Sequence, residues 1–180
     1  RRRVRDSLEK AAPTASRVLA RVGLVPQPDM RCAMAKIRSN ERSEAIQLIT
    51  RTNEILRHKT WRFVRAGGES TITAGKRHMF PDLILYGDTA MTQILQGWEL
   101  KMPDVPITDA AFIYDAQRKA LTLGLNSCLI WNFTAAVLYQ READDSFSVV
   151  RRWSNPRIKT RADVAARRAE WMDMLETVLS

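Results

Sequence analysis

Two apolar segments of this chain carry charges where charges are costly. Asp82 opens the run Leu83-Ile84-Leu85, and Glu99 and Lys101 alternate with Trp98, Leu100 and Met102. Both segments read as strands of a sheet core, and strand alternation sets Glu99 and Lys101 on one face with the apolar residues on the other. An acid or a lysine beside such a core needs a compensating partner, because desolvating an unpaired charge is strongly unfavourable. If these residues do chemistry, that partner is a metal ion or a substrate, and this cluster is the first place to expect it. The plain alternative is structural: Asp82 ends a strand paired with Arg77 or Lys101, and Glu99 with Lys101 forms a surface ladder worth little.

The elements that must position these groups follow from periodicity. A helix is expected over 30–56, with Ala45, Leu48, Ile49, Thr52, Ile55 and Leu56 as its apolar stripe and Ser39 or Asn40 capping an inner turn. Glu41 extends that stripe and Glu44 lies at its edge. Either acid points inward from the helix start, or sits in solvent where the helix dipole favours it. Residues 61–65 alternate as a half-buried strand that Gly67-Gly68 breaks, and 73–78 are polar and basic, fitting a hairpin tip or a plain exposed turn. The two charged strands are expected over 80–86 and 93–102, with Gly87-Asp88 as the turn between them. Thr108 caps a helix whose Phe112, Ile113, Ala116, Ala120 and Leu123 face the sheet and which Gly124 ends. Strands over 128–133, 137–141 and 147–153 come next, the last two antiparallel around Asp144-Asp145-Ser146. An amphipathic helix over 162–179, built on Val164, Trp171, Leu175 and Val178, closes the chain. This order predicts an α/β fold with a mixed β-sheet flanked by helices.

Phe80-Pro81-Asp82 followed by Glu99-Leu100-Lys101 resembles the PD-(D/E)xK signature of the restriction-endonuclease-like nucleases, over about 40–131. Pro-Asp also occurs at Pro28-Asp29 and Pro103-Asp104, but only the middle pair sits in an apolar strand ahead of an ExK strand. A preceding helix carries Glu41 and a following one carries Gln117, as in many members; Leu121 stands where some members have a tyrosine. The resemblance implies a restriction-endonuclease-like core and Mg²⁺ as cofactor, with Mn²⁺ as substitute. It implies that Asp82, Glu99 and the backbone carbonyl of Leu100 bind the metal, and that Glu41, or failing that Glu44, completes the site. Lys101 would orient the attacking water or stabilise charge on the phosphate, and Gln117 would orient water or Lys101. Phosphodiester hydrolysis needs an activated water, charge stabilisation and help for the leaving oxygen, which hard oxygen ligands on Mg²⁺ supply. One metal and two metals are both compatible with this set.

Composition points to the same substrate class. With 29 Lys+Arg against 20 Asp+Glu among 180 residues, the net charge is +9, which favours a polyanion. DNA is the expected partner, with mostly nonspecific phosphate contacts from Lys76, Arg77, Arg118, Lys119, Arg151 and Arg152; RNA fits the same charge. An acidic membrane surface would also match it, but no apolar run approaches a transmembrane helix, and no membrane partner is expected. Without a recognisable base-reading module, specificity would come from another domain, another subunit or DNA structure; a homodimer or a specificity, methyltransferase or motor partner is expected, as in a restriction or antiviral-defence nuclease. The alternative is a catalytically inactive nucleic-acid-binding module of the same fold. Cys32 and Cys128 lack metal-motif spacing and fit reduced thiols in a cytoplasmic protein, Cys128 in the core. His58 and His78 lack partners at metal-ligand spacing. Residues 1–29 read as a basic helical arm and linker and 30–180 as the nuclease-like domain, in what is expected to be a piece of a longer chain.

Overall fold

Asn40 decides where the first helix begins. In the computed structural model, which describes residues 40–68, 72–74, 77–79 and 81–180 (backbone alone at 72–74 and 77–79), Asn40 is extended. Its side chain accepts the Ser43 N–H at 2.9 Å while Ser43 Oγ accepts the Asn40 N–H at 3.1 Å. This reciprocal box satisfies two donors that a helix start would leave orphaned, so α1 spans Glu41–Leu56. The expected arm and linker at 1–29, the expected helical stretch 30–39, and Lys76 and Phe80 lie outside the described residues.

The main sheet has six strands in the order β1-β4-β5-β6-β7-β8. They are β1 (Arg65–Gly67), β4 (Leu83–Tyr86), β5 (Ile94–Leu100), β6 (Ser127–Trp131), β7 (Ala135–Arg141) and β8 (Phe147–Ser154), while β2 (Ile72–Ala74) and β3 (Arg77–Met79) pair as a separate antiparallel hairpin. The hairpin expected near 73–78 is therefore present. Every neighbouring pair in the main sheet is antiparallel except β5 and β6. Parallel neighbours need a crossover, and α2 (Ala110–Thr122) supplies it. The fold is α/β with a mixed sheet flanked by helices, as the element order predicts.

Strand alternation divides the core in two. Leu83, Leu85, Trp98, Leu100, Leu129 and Trp131 face a layer containing α1 and the C-terminal helices, whereas Cys128, Ile130, Val137 and Tyr139 meet Phe112, Ala116 and Ala120 of α2. Phe133 is held at φ 66° at the turn between β6 and β7, with its ring against Trp131 and Trp171. Burial of those three rings holds a backbone conformation that a bulky residue otherwise avoids.

Several boundaries differ from the periodic reading. The strand expected over 61–65 begins at Arg65 and runs into Gly67, because Trp61 and Phe63 pack on the core from irregular backbone. The cap of α2 is Asp109, which accepts the Phe112 N–H at 2.8 Å, rather than Thr108. Gly124 turns the chain at φ 65°, open to glycine without strain. The single helix expected over 162–179 is α3 (Arg161–Ala166) and α4 (Arg168–Leu179), broken where Arg167 leaves helical geometry. Trp171 Nε1 donates to the Val164 carbonyl at 2.9 Å and ties the halves together, so the buried stripe of Val164, Trp171 and Leu175 survives the break.

One contact fixes α1 to the sheet. Asn53 Nδ2 donates to the Ala66 carbonyl and Asn53 Oδ1 accepts the Ala66 N–H, both at 2.9 Å, on the outer edge of β1. This closes an edge that would otherwise offer unpaired backbone groups. Asn53→Ala leaves both groups of buried Ala66 unsatisfied and is expected to cost about 2 kcal/mol, read as a lower urea midpoint with an unchanged m-value. A midpoint equal to the native one would remove Asn53 from this role.

Candidate active site

Asp82, Glu99 and Lys101 meet at the end of the sheet where β4 starts and β5 finishes. The register pairs Leu83 with Trp98, so one further step along each chain brings Asp82 beside Glu99. Asp82 Oδ2 accepts the Leu100 N–H at 2.7 Å, which stands in for the ladder bond an additional β4 residue would make. In an extended strand the N–H and C=O of one residue point to the same side. The Leu100 carbonyl therefore faces the Asp82 side, while the Lys101 N–H bonds Trp131 of β6 at 3.0 Å.

Glu99 lies on the α2 side of the sheet and is only 5% exposed. Its Oε2 accepts Lys119 Nζ at 2.6 Å, and the same ammonium reaches Asp115 Oδ2 at 2.9 Å. Lys119 sits three residues after Ala116 and beside Ala120, both buried, so helix periodicity turns it inward. The expectation that Lys119 contacts DNA phosphates is thereby corrected: its side chain is 12% exposed and committed to two carboxylates.

Lys101 departs from its expected face as well. It stands one residue beyond the end of β5, and its ammonium lies 3.4 Å from Glu41 Oε2 at the start of α1. Glu99 thus answers to α2 and Lys101 to α1, with Asp82 between them. Glu41 and Glu44 exchange the roles that periodicity gave them. Glu44 is 1% exposed and lies 3.3 Å from Arg168 of α4, because its helix face carries Leu48 toward that layer; Glu41, partly exposed, stands near the acids. Gln117 is half-buried, is two helical positions from Lys119, and its side chain makes no hydrogen bond among the described residues. Of these two α2 residues, Lys119 is the one that bonds Glu99.

The environment shifts the acids in one direction. Burial, reinforced by the Asp82 carboxylate, pushes Glu99 up to about 7 despite Lys119. Burial also raises Asp82, against the opposing Leu100 N–H, Lys119 and Lys101. Burial would lower Lys119, but Glu99 and Asp115 together hold it above its ordinary value and keep it charged. Cys128 is pushed up to about 12 by burial and by Glu99, consistent with an inert core thiol.

Among the described residues, no three His, Cys, Asp or Glu side chains form a group able to hold a metal ion. Mg²⁺, however, is commonly held by one or two carboxylates with water and substrate phosphate completing its shell. Asp82, Glu99 and the Leu100 carbonyl are hard oxygen donors of that kind, and two neighbouring carboxylates disfavour each other's charge unless a cation compensates them. The donor set fits such an ion.

The remaining basic residues are dispersed. Arg118 is 2.7 Å from Asp115 and lies over the Tyr114 ring, and Arg151 lies over Trp153. The register row Glu99, Ile130, Val137, Arg152 puts Arg152 three strands from Glu99, roughly 14 Å at ordinary strand spacing, and alternation sends neighbouring Arg151 to the opposite face. Arg77 lies in β3 and Lys76 outside the described residues.

Neither a family model nor a curated protein matches this chain. Among solved structures, a chain in the cryo-EM structure of a DrdV–DNA complex is similar over 74% of this chain and 14% of its own length, with 19% identity and a TM-score of 0.33. A likeness of that size carries no weight for fold or function, and this chain spans about one-seventh of that protein's length.

The raised Glu99 carboxyl has a consequence for stability. In the unfolded chain it ionises near 4.5 and in the folded protein near 7, so the folded state binds more protons between those values. Stability is therefore expected to fall as pH rises from about 4.5 through 7 and then to level off, by up to roughly 3 kcal/mol for this group. Glu99→Gln should flatten that slope in urea titrations at pH 5, 6, 7 and 8. An unchanged slope would show that Glu99 ionises normally.

Proposed function

We propose that this chain is a Mg²⁺-dependent endonuclease hydrolysing DNA phosphodiester bonds, on a restriction-endonuclease-like core. The observation that supports it most is the convergence of Asp82, Glu99 and Lys101 from two adjacent strands at one end of the sheet. Among common roles for such a group, paired acids with a lysine at a partly open sheet end fit a cation and a phosphate best. The antiparallel β4–β5 pair leading through α2 into parallel β6 supports the core assignment, alongside the PD-(D/E)xK resemblance. Bound Mg²⁺ would polarise the phosphate and lower the proton affinity of its water.

The chain's own residues have definable parts in this reading. Asp82, Glu99 and the Leu100 carbonyl would hold the cation, with Asp82 oriented by the Leu100 N–H. Lys101, about one-third exposed and only loosely held by Glu41, is available to a phosphate oxygen or the attacking water. Glu41 restrains Lys101 and adds negative charge near Asp82. The net charge of +9 favours a polyanionic substrate. No helix among the described residues is long and apolar enough to cross a membrane. Sequence specificity, a dimer, a methyltransferase or motor partner, and a role in defence belong to the same proposal.

One observation favours a second reading. The Lys119 ammonium already neutralises Glu99 at 2.6 Å, as it would in an inactive nucleic-acid-binding module that keeps the fold. Cleavage separates the two. Supercoiled, linear and single-stranded DNA are incubated with Mg²⁺ or Mn²⁺ and the native chain, Asp82→Ala or Lys101→Ala, each verified as folded. Metal-dependent cutting that falls at least about 100-fold in both variants is expected, since losing a few kcal/mol of transition-state stabilisation has that effect. DNA retention without cutting, together with no Mg²⁺ binding, would favour the inactive module.

Cation binding should also depend on pH. Because Glu99 holds its proton to about 7, Mg²⁺ must compete with that proton. Calorimetric affinity is expected to rise from pH 6 to pH 8. A flat profile would remove Glu99 from the ligand set.

A further inference from the structure

We propose that Lys119 is a resident cation of the resting site, which yields Glu99 to an incoming divalent ion and withdraws onto Asp115. The proposal rests on the metal-dependent reading above and names the residue that controls entry of the ion. Three geometric facts carry it. The ammonium sits 2.6 Å from Glu99 Oε2, on a carboxylate only 5% exposed, so a divalent ion that takes Glu99 must displace or rearrange that contact. The same ammonium is 2.9 Å from Asp115 Oδ2, four residues earlier on α2. Asp115 is about one-third exposed and is also bonded by Arg118 at 2.7 Å, so it stays in place whichever way Lys119 leans.

The second acceptor makes the exchange feasible. Removing one member of a buried ion pair is strongly destabilising because it leaves an uncompensated charge. A lysine bonded to Glu99 alone would make metal binding carry that penalty. Lys119 avoids it, since losing Glu99 leaves its bond to Asp115 intact, and Asp115 lies on the helix rather than on the strand that supplies the ligands. Lys119 is therefore a positioning residue: it orients Glu99 before the ion arrives, and it sets the threshold concentration at which the ion enters.

The test is Mn²⁺ binding to the full chain, followed by calorimetry and by the loss of the free Mn²⁺ electron-paramagnetic-resonance signal. The proteins are the native chain and Lys119→Met, Lys119→Arg, Lys101→Met, Asp115→Asn and the Asp115→Asn/Lys119→Met double variant, with folding verified by circular dichroism. Lys119→Met is expected to bind Mn²⁺ at least about tenfold more tightly than the native chain, and more tightly than Lys101→Met, which removes a like charge from the same cluster. Lys119→Arg should stay near the native affinity. Asp115→Asn should weaken binding about tenfold in the native background and have no effect once Lys119 is Met, because its role passes through the ammonium. Equal or weaker binding by Lys119→Met, or the same Asp115→Asn loss in both backgrounds, would overturn the proposal while leaving the metal site standing. Absence of Mn²⁺ binding in both the native chain and Lys119→Met would overturn the metal reading and this proposal together.

Discussion

A carboxylate that is 5% exposed has to be neutralised from within the protein, and Glu99 is that carboxylate. Its place on β5 is imposed by alternation, since Trp98 and Leu100 must fill the opposite layer and so commit position 99 to the α2 side. Lys119 meets it there at 2.6 Å. The interaction joins the crossover helix to the strand it follows. It opposes the upward shift of Glu99, whose charge burial and Asp82 disfavour and Lys119 supports.

Around this pair, both layers of the fold are fastened to the same end of the sheet. Asp82 ends its strand by accepting the Leu100 N–H, which sets its carboxylate beside Glu99 and the Leu100 carbonyl on the same side. From the other layer, α1 brings Glu41 to Lys101, and its own position depends on Asn53 at the β1 edge and on Glu44 with Arg168 of α4. The site is thus a meeting of strand ends and helix faces, with Lys101 paired to α1 and Lys119 joining the strand to α2. A partly exposed Lys101 and a buried Lys119 have different freedoms in that arrangement, the first open to a substrate and the second enclosed by acids.

Much of this was legible in the residues themselves. The run Leu83-Ile84-Leu85 and the alternation around Glu99 locate the two central strands because period-two patterns survive tertiary packing. The α2 stripe of Phe112, Ala116 and Ala120 was equally plain. Lys119 was misread because a basic Arg118-Lys119 pair looks like a phosphate contact, yet its spacing from Ala116 already put it on the inward face. Gln117 is singled out by resemblance alone, and its side chain makes no hydrogen bond among the described residues. The apolar stripe of α1 places Glu41 inward and Glu44 at its edge, the reverse of the observed burial, since the surroundings of Glu44 depend on Arg168 of α4, far along the chain. The break at Arg167 was hidden for a similar reason: Trp171 bonds Val164 across it, so the apolar pattern runs on through an interruption of the backbone.

The most direct test of the central claim is anomalous diffraction from crystals of the native chain bound to DNA and saturated with Mn²⁺. The account predicts a peak at coordination distance from the carboxylates of Asp82 and Glu99 and the carbonyl of Leu100, with Lys119 directed to Asp115. A Mn²⁺ peak elsewhere, or none, with Lys119 still bridging Glu99 at saturation, would contradict it.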